Sequence, residues 1–128
     1  MLNEHIWQYI GAENTVLITL DDKDRRKART FGGMAISPRD IARFARLMLN
    51  GGNWSGQQIV PQSFIQKLEA RDPSTFFMYT GSYWKNGYES AGFRKNRQYA
   101  AAGFGGQFMF VSPNDLSLIH ISEPTRPY

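Results

Sequence analysis

The stretch Ser37-Pro38-Arg39-Asp40 constrains this chain more than any other, because it sets where a helix begins. Serine can cap the first turn with its hydroxyl. Proline at the first helical position has a φ already suited to the helix, and an aspartate three residues past the cap can reach back to it. Ile41, Phe44, Ala45, Leu47 and Met48 then recur at helical spacing and make one apolar stripe. Arg39, Arg43 and Arg46 fall off the stripe, on a face expected to be solvated. Asn50-Gly51-Gly52 ends the helix. A second helix is expected to start near Pro61, with Phe64, Ile65 and Leu68 turned inward.

The flanking segments complete the pattern. Leu2, Ile6, Tyr9 and Ile10 lie at helical spacing, and Gly11 is a helix stop. Thr15 to Leu20 is apolar and β-branched and predicts a strand, with a turn beginning at Asp21-Asp22. A charged loop follows to Phe31-Gly32-Gly33. From Phe76 onward the composition turns to strand formers. Phe76 to Trp84 is aromatic-rich, Asn86-Gly87 signals a turn, Gln107 to Val111 predicts a strand, and Ser112 to Asp115 a tight turn after it. This order of helix, strand, two helices and a meander predicts an α+β fold, with helices packed on an antiparallel sheet. With 128 residues, 41% of them apolar and 14% aromatic, the chain is one small domain or a piece of a larger one.

Composition removes several function classes. The chain has no cysteine, which excludes disulfides, thiolate catalysis and cysteine-based zinc sites. No apolar run approaches the ~20 residues needed to span a bilayer. Met1 to His5 lacks the basic start and apolar stretch of a signal peptide, so either the chain is cytoplasmic or its true N-terminus is missing, and cytoplasm and periplasm both stay open. His5 and His120 cannot make a metal site by themselves; no metal and no cofactor are expected. Two clusters, Lys23 to Arg29 and Arg94 to Arg97, supply much of the net charge of +4. Both lie in turn-rich sequence and are expected to be solvated loops, with no nucleic-acid partner.

Gly103-Phe104-Gly105-Gly106-Gln107 is the stretch most suggestive of chemistry. Three glycines flank one bulky residue and lead into an apolar strand. Without a Cβ in the way, backbone can approach a ligand closely. A strand bordered in this way can present bare N–H and C=O groups to a substrate, and one N–H aimed at a developing oxyanion is worth about 3 kcal/mol in a dry site. A glycine-eased hairpin bend explains the same spacing, and both readings stay open on the residues.

Three stretches resemble the C-terminal half of the β-lactamase-related (class C-like) serine hydrolases. Ile6-Trp7-Gln8-Tyr9-Ile10-Gly11-Ala12-Glu13 is similar to a passage where a helix ends before an apolar residue and glycine. Phe31 to Gly52, continued by Ser55-Gly56-Gln57-Gln58-Ile59-Val60-Pro61, resembles the family's "Gly-Gly-Leu … Thr-Ala-Arg-Asp-Leu-Ala-Arg-Phe" helix region. The third stretch is Ala102 to Gln107. Within the family, the branch of 6-aminohexanoate-dimer hydrolases and related esterases is nearest. The resemblance implies a partial β-lactamase/transpeptidase-like fold and hydrolysis of small esters or amides through an acyl-enzyme.

Such enzymes use Ser-x-x-Lys at a helix start, a Tyr-x-Asn element, and a third element on the strand lining the site. By position the third element falls on Gly103, Phe104 and Gly105, with the Phe104 N–H as oxyanion donor and Gly106 and Gln107 continuing the substrate strand. Phenylalanine there removes any side-chain proton donor, which argues against β-lactamase activity. Ser82-Tyr83-Trp84-Lys85 fits Ser-x-x-Lys, but its aromatic, glycine-bounded surroundings predict a strand, where residues three apart point to opposite faces. Lys85-Asn86-Gly87 imitates Lys-Thr-Gly, and a hairpin turn explains it. No Tyr-x-Asn occurs. The catalytic serine, lysine and tyrosine are therefore expected upstream of Met1, and the chain itself is expected to be inactive. A cell-wall D,D-peptidase or β-lactamase fragment and a non-catalytic binding module are the alternatives.

Leu116 to Arg126 matches, residue for residue, the translation of a common transposon-type sequencing-library adapter. Residues 1–115 are therefore expected to be the hydrolase part, and 116–128 a non-native tail apolar enough to imitate the strand due at Leu116 to Ile121.

Overall fold

The computed structural model describes residues 2–22, 24, 27–28, 33–70, 78–80, 83–85, 98–103 and 107–122. It opens with one wide helical turn, Asn3–Trp7. Hydrogen bonds from Gln8 N to Asn3 O (3.2 Å) and from Ala12 N to Trp7 O (3.3 Å) span five residues instead of four, so the expected α-helix is widened here. Gly11, with φ +64°, ends it.

The strand expected over Thr15 to Leu20 is split. Leu17–Ile18 (β1) pairs with Met34–Ala35 (β4), and Leu20–Asp22 (β2) pairs with Lys27–Ala28 (β3). Asp21 and Asp22 thus belong to a strand rather than to a turn. The turn begins one residue later, where the Asp22 carboxylate accepts the Asp24 N–H at 2.8 Å.

Pro38–Leu49 (α1) forms as the sequence dictates. Ser37 is extended at the cap, and its hydroxyl accepts the Asp40 N–H at 3.2 Å. Asn53–Trp54 (β5) and Gln57–Gln58 (β6) make a small hairpin. Gln62–Glu69 (α2) follows Pro61, with Ile65 and Leu68 buried. Met78–Thr80 (β7), Tyr83–Lys85 (β8), Tyr99–Gly103 (β9), Gln107–Ser112 (β10) and Ser117–Ser122 (β11) then build one antiparallel meander in the order β11-β10-β9-β8-β7. A tight 3-10 turn, Pro113–Asp115, joins the last two strands. The expected turn at Asn86-Gly87 lies outside the described residues.

α1 lies on β10 and β11, and α2 touches β8. One core joins both helices to the sheet through Ala45, Met48, Ile65, Leu68, Tyr99, Met109 and Val111. A second gathers Trp7, Ile10 and Leu47 beneath the N-terminal turn. Leu47 and Met48 are neighbours on α1, so this one helix ties both cores together. Each fully buried side chain of this kind contributes about 1.5–3 kcal/mol. The fold is α+β, with helices on an antiparallel sheet.

Candidate functional site

β9 runs from the core to the surface. Tyr99 and Ala100 are buried, Ala101 and Ala102 half-buried, and Gly103 exposed. β10 returns inward from exposed Gln107 to buried Val111 and Ser112. The inner end of this hairpin is held by two buried polar contacts. The Tyr99 hydroxyl donates to the Met48 carbonyl at 3.3 Å, tying the sheet to the end of α1. Gln98 Nε2 donates to Ser112 Oγ at 3.0 Å across the two strands. Buried donors and acceptors paired in this way fix one register, because each costs about 1–3 kcal/mol if left unmet.

The outer end carries the residues singled out by the sequence. Gly103 stands opposite Gln107, the first register pair of the hairpin. A Cβ on Gly103 would lie 3.0 Å from Gln107 Oε1 and 3.7 Å from Gln107 Cβ, so glycine makes room for the carboxamide laid across the strand. Phe104, Gly105 and Gly106 lie outside the described residues. On its other side β9 is paired with β8 only at Tyr99, opposite Lys85, and Ala100, opposite Trp84. Among the described residues, Ala101 to Gly103 therefore have a register partner on the β10 side alone.

Tyr83–Lys85 is the expected strand, paired to β7 with Tyr83 opposite Thr80. Ser82 lies outside the described residues, as do Asn86 and Gly87 after Lys85. His5 sits exposed on the N-terminal helical turn, and His120 occupies β11 opposite Met109.

The most polar buried centre is elsewhere, and the sequence reading missed its extent. The Asp40 carboxylate is inaccessible to solvent and takes five donors. Oδ1 accepts the Glu13 N–H (2.9 Å) and Arg43 Nη1 (3.0 Å). Oδ2 accepts the Asn14 N–H (3.0 Å), Asn14 Nδ2 (3.0 Å) and the Ser37 hydroxyl (2.8 Å). Asp40 thus reaches back to the cap, as expected, but through the Ser37 hydroxyl, and it also grips the 13–14 backbone. The Glu13 amide above all, against the opposing effect of burial, and then Ser37 and Asn14 hold its carboxyl well below the usual carboxylate range.

The arginine face is also only partly solvated. Arg43 bridges Asp40 and Glu13, and the hydrogen bond to Glu13 is the main reason its own pKa is raised. Arg39 pairs with Glu13 at 3.6 Å and stays exposed, and the Arg46 guanidinium lies 5.4 Å from the Trp54 ring centre. An open groove of about 530 Å³ runs past Trp7, Glu13, Asn14, Val16 and Ile18. Neither Gly103 nor Gln107 lines it. Among the described residues no helix is long and apolar enough to cross a membrane.

No protein-family model matches the chain. Its sequence is 29% identical over 126 residues to a 6-aminohexanoate-dimer hydrolase of Paenarthrobacter ureafaciens, covering 92% of this chain and 31% of that protein. The chain is related to that branch of hydrolases. A solved Bacillus anthracis structure assigned as a 6-aminohexanoate-dimer hydrolase superposes with a TM-score of 0.75 at 25% identity, over 99% of this chain and 33% of that one. The relationship thus covers most of this sequence but only about a third of the length of either relative.

Proposed function

We propose that residues 1–115 form one wall of the active site of a serine hydrolase acting on small amides or esters, and that the 128-residue chain is itself inactive. The observation that carries the reading is the outer end of the β9–β10 hairpin. There β9 emerges from the core, its register with β8 among the described residues covers only Tyr99 and Ala100, and Gly103 faces Gln107.

In this reading the Phe104 N–H donates to the oxyanion, with Gly103 and Gly105 keeping the approach clear and Gly106 and Gln107 continuing the substrate strand. A preorganised donor of this kind is worth about 3 kcal/mol, because it acts where charge develops. The nucleophile comes from a Ser-x-x-Lys helix start and the second base from a Tyr-x-Asn element, neither of which occurs as such in this sequence. The serine oxygen attacks the carbonyl carbon while its proton passes to the lysine. The amine or alcohol leaves protonated, and water then cleaves the acyl-enzyme. The relatives' names point to an amide of 6-aminohexanoate units as the model substrate. No metal, cofactor or nucleic acid has a part in this scheme.

Residues 116–128 are read as non-native. Leu116 supports this: it takes a left-handed backbone (φ 48°) and is 82% exposed where that tail begins. A large L side chain pays about 1–2 kcal/mol for that conformation.

The test is to incubate the chain with a chromogenic ester and a fluorophosphonate probe. Neither turnover nor labelling is expected. Covalent labelling at Ser82 would overturn the assignment. A longer reading frame that carries both missing motifs ahead of these residues should turn over the amide. Failure of such a protein to do so would refute the hydrolase reading itself.

A further inference from the structure

The end of α1 holds a chemically labile pair, Asn50-Gly51. Asparagine is a thermolabile residue. A glycine after it has no Cβ, so the next amide nitrogen can approach the asparagine side chain uncrowded. Asn50 is exposed to solvent and Gly51 half-buried. Three successive N–H groups are nevertheless bound at this point. Asn50 N donates to Arg46 O at 3.0 Å, Gly51 N to Met48 O at 3.1 Å and Gly52 N to Leu47 O at 2.9 Å. The Met48 carbonyl is itself held from the sheet by the buried Tyr99 hydroxyl at 3.3 Å. On the far side, Gly52 O accepts the N–H groups of Ile59 and Val60.

We infer that Asn50 is a deamidation site gated by the end of α1, shut while the last helical turn is formed and opened when that turn frays. In the reaction the Gly51 nitrogen attacks Asn50 Cγ and forms an N–Cγ bond. The Cγ–Nδ2 bond breaks, and ammonia leaves with the proton that Gly51 N gave up. Water then opens the five-membered imide. Cleavage at Cγ gives aspartate, and cleavage at the Asn50 carbonyl carbon gives isoaspartate. The folded chain opposes the first step twice. Ring closure needs the Gly51 nitrogen on the Cβ side of Asn50. At ψ 22° that nitrogen nearly eclipses Asn50's own nitrogen and stands about 140° round from Cβ, since the groups on a tetrahedral carbon are spaced about 120° apart. Its N–H is also bound to Met48 O, on a carbonyl that Tyr99 keeps in place. The product does not restore the cap. Isoaspartate adds one atom to the backbone between Asn50 and Gly51, and either product sets a carboxylate at the negative end of the helix. The gate lies wholly within α1, the segment to Val60 and Tyr99, and depends neither on the catalytic reading nor on the origin of residues 116–128.

The test follows the amide-to-acid mass change at Asn50 by peptide mapping, with the chain held in mildly alkaline buffer and, in parallel, in the same buffer with denaturing urea. Fraying must break three backbone hydrogen bonds, each worth a factor of about 2–10 in the opening equilibrium. Deamidation in buffer should therefore be at least about tenfold slower than in urea. Tyr99→Phe should raise the rate in buffer about fivefold, the factor that one such hydrogen bond contributes, and leave the rate in urea unchanged. Hydrogen exchange of the Gly51 amide should quicken by the same factor. Equal rates in buffer and urea for the unaltered chain would overturn the inference whatever the variant does. So would a Tyr99→Phe chain that deamidates in buffer no faster than the parent, or one that does so without faster exchange at Gly51.

Discussion

Two adjacent glycines at the end of α1 allow a sharp test of the packing argument. Gly51 and Gly52 both have positive φ, +66° and +81°. A Cβ on Gly51 would have nothing within 4 Å. A Cβ on Gly52 would lie 2.3 Å from the Val60 carbonyl oxygen and 2.9 Å from Val60 Cβ. Gly51→Ala therefore incurs only the left-handed backbone cost, about 1–2 kcal/mol, less a few tenths recovered from the stiffer unfolded chain. Gly52→Ala incurs the same cost and must also push the 58–60 segment away. That segment is held to Gly52 O by Ile59 N (2.8 Å) and Val60 N (3.1 Å). Losing both bonds adds about 2 kcal/mol, and loosening Ile59 and Val60 from the second core adds more. The expected cost is about 1 kcal/mol for the first variant and about 3–4 kcal/mol for the second. Urea unfolding of the two variants beside the parent chain measures this as a shift of midpoint at constant slope. Equal midpoints for the two variants would refute the close approach of Gly52 to Val60.

Tyr99→Phe removes one of two donors to the Met48 carbonyl, the other being Gly51 N at 3.1 Å, so urea unfolding should register a loss of only about 1 kcal/mol. Leu116→Asn should stabilise by about 1 kcal/mol, since asparagine tolerates the left-handed region; a lower thermal midpoint would show that Leu116 is not strained there. Asp40 should make the fold acid-sensitive. Its folded pKa is depressed, so its contribution is complete above its unfolded pKa of about 4 and is lost as pH falls below that toward the folded value. The unfolding midpoint of Asp40→Asn should be lower at neutral pH and fall less steeply between pH 5 and about 2 than that of the parent; parallel profiles would remove Asp40 as the cause.

Much of the architecture is legible in the sequence because it depends on local chemistry. The Ser37-Pro38 helix start, the Asn50-Gly51-Gly52 stop, the inward Ile65 and Leu68, and the Gln107 strand each follow from neighbours a few residues apart. The resemblance to the hydrolase branch was likewise visible in short stretches, and comparison over most of the chain supports it.

Long-range pairing was not legible. Whether Thr15 to Leu20 made one strand or two depended on where Met34 and Lys27 came to rest, sixteen and five residues beyond the ends of β1 and β2 in the chain. That Asp40 would bind the 13–14 backbone, in addition to the Ser37 hydroxyl of its own helix cap, required two segments 26 and 27 residues apart to meet. Arginines spaced for a solvated face became bridges for the same reason: a salt bridge depends on what the other segment brings. The Gly103–Gln107 element carried its flexibility in its residue types. Its place at the open end of a strand, anchored at Tyr99 beneath α1, came from the tertiary structure. A side chain's period along the chain sets which way it faces, whereas its partners are set by chain segments that only folding brings near.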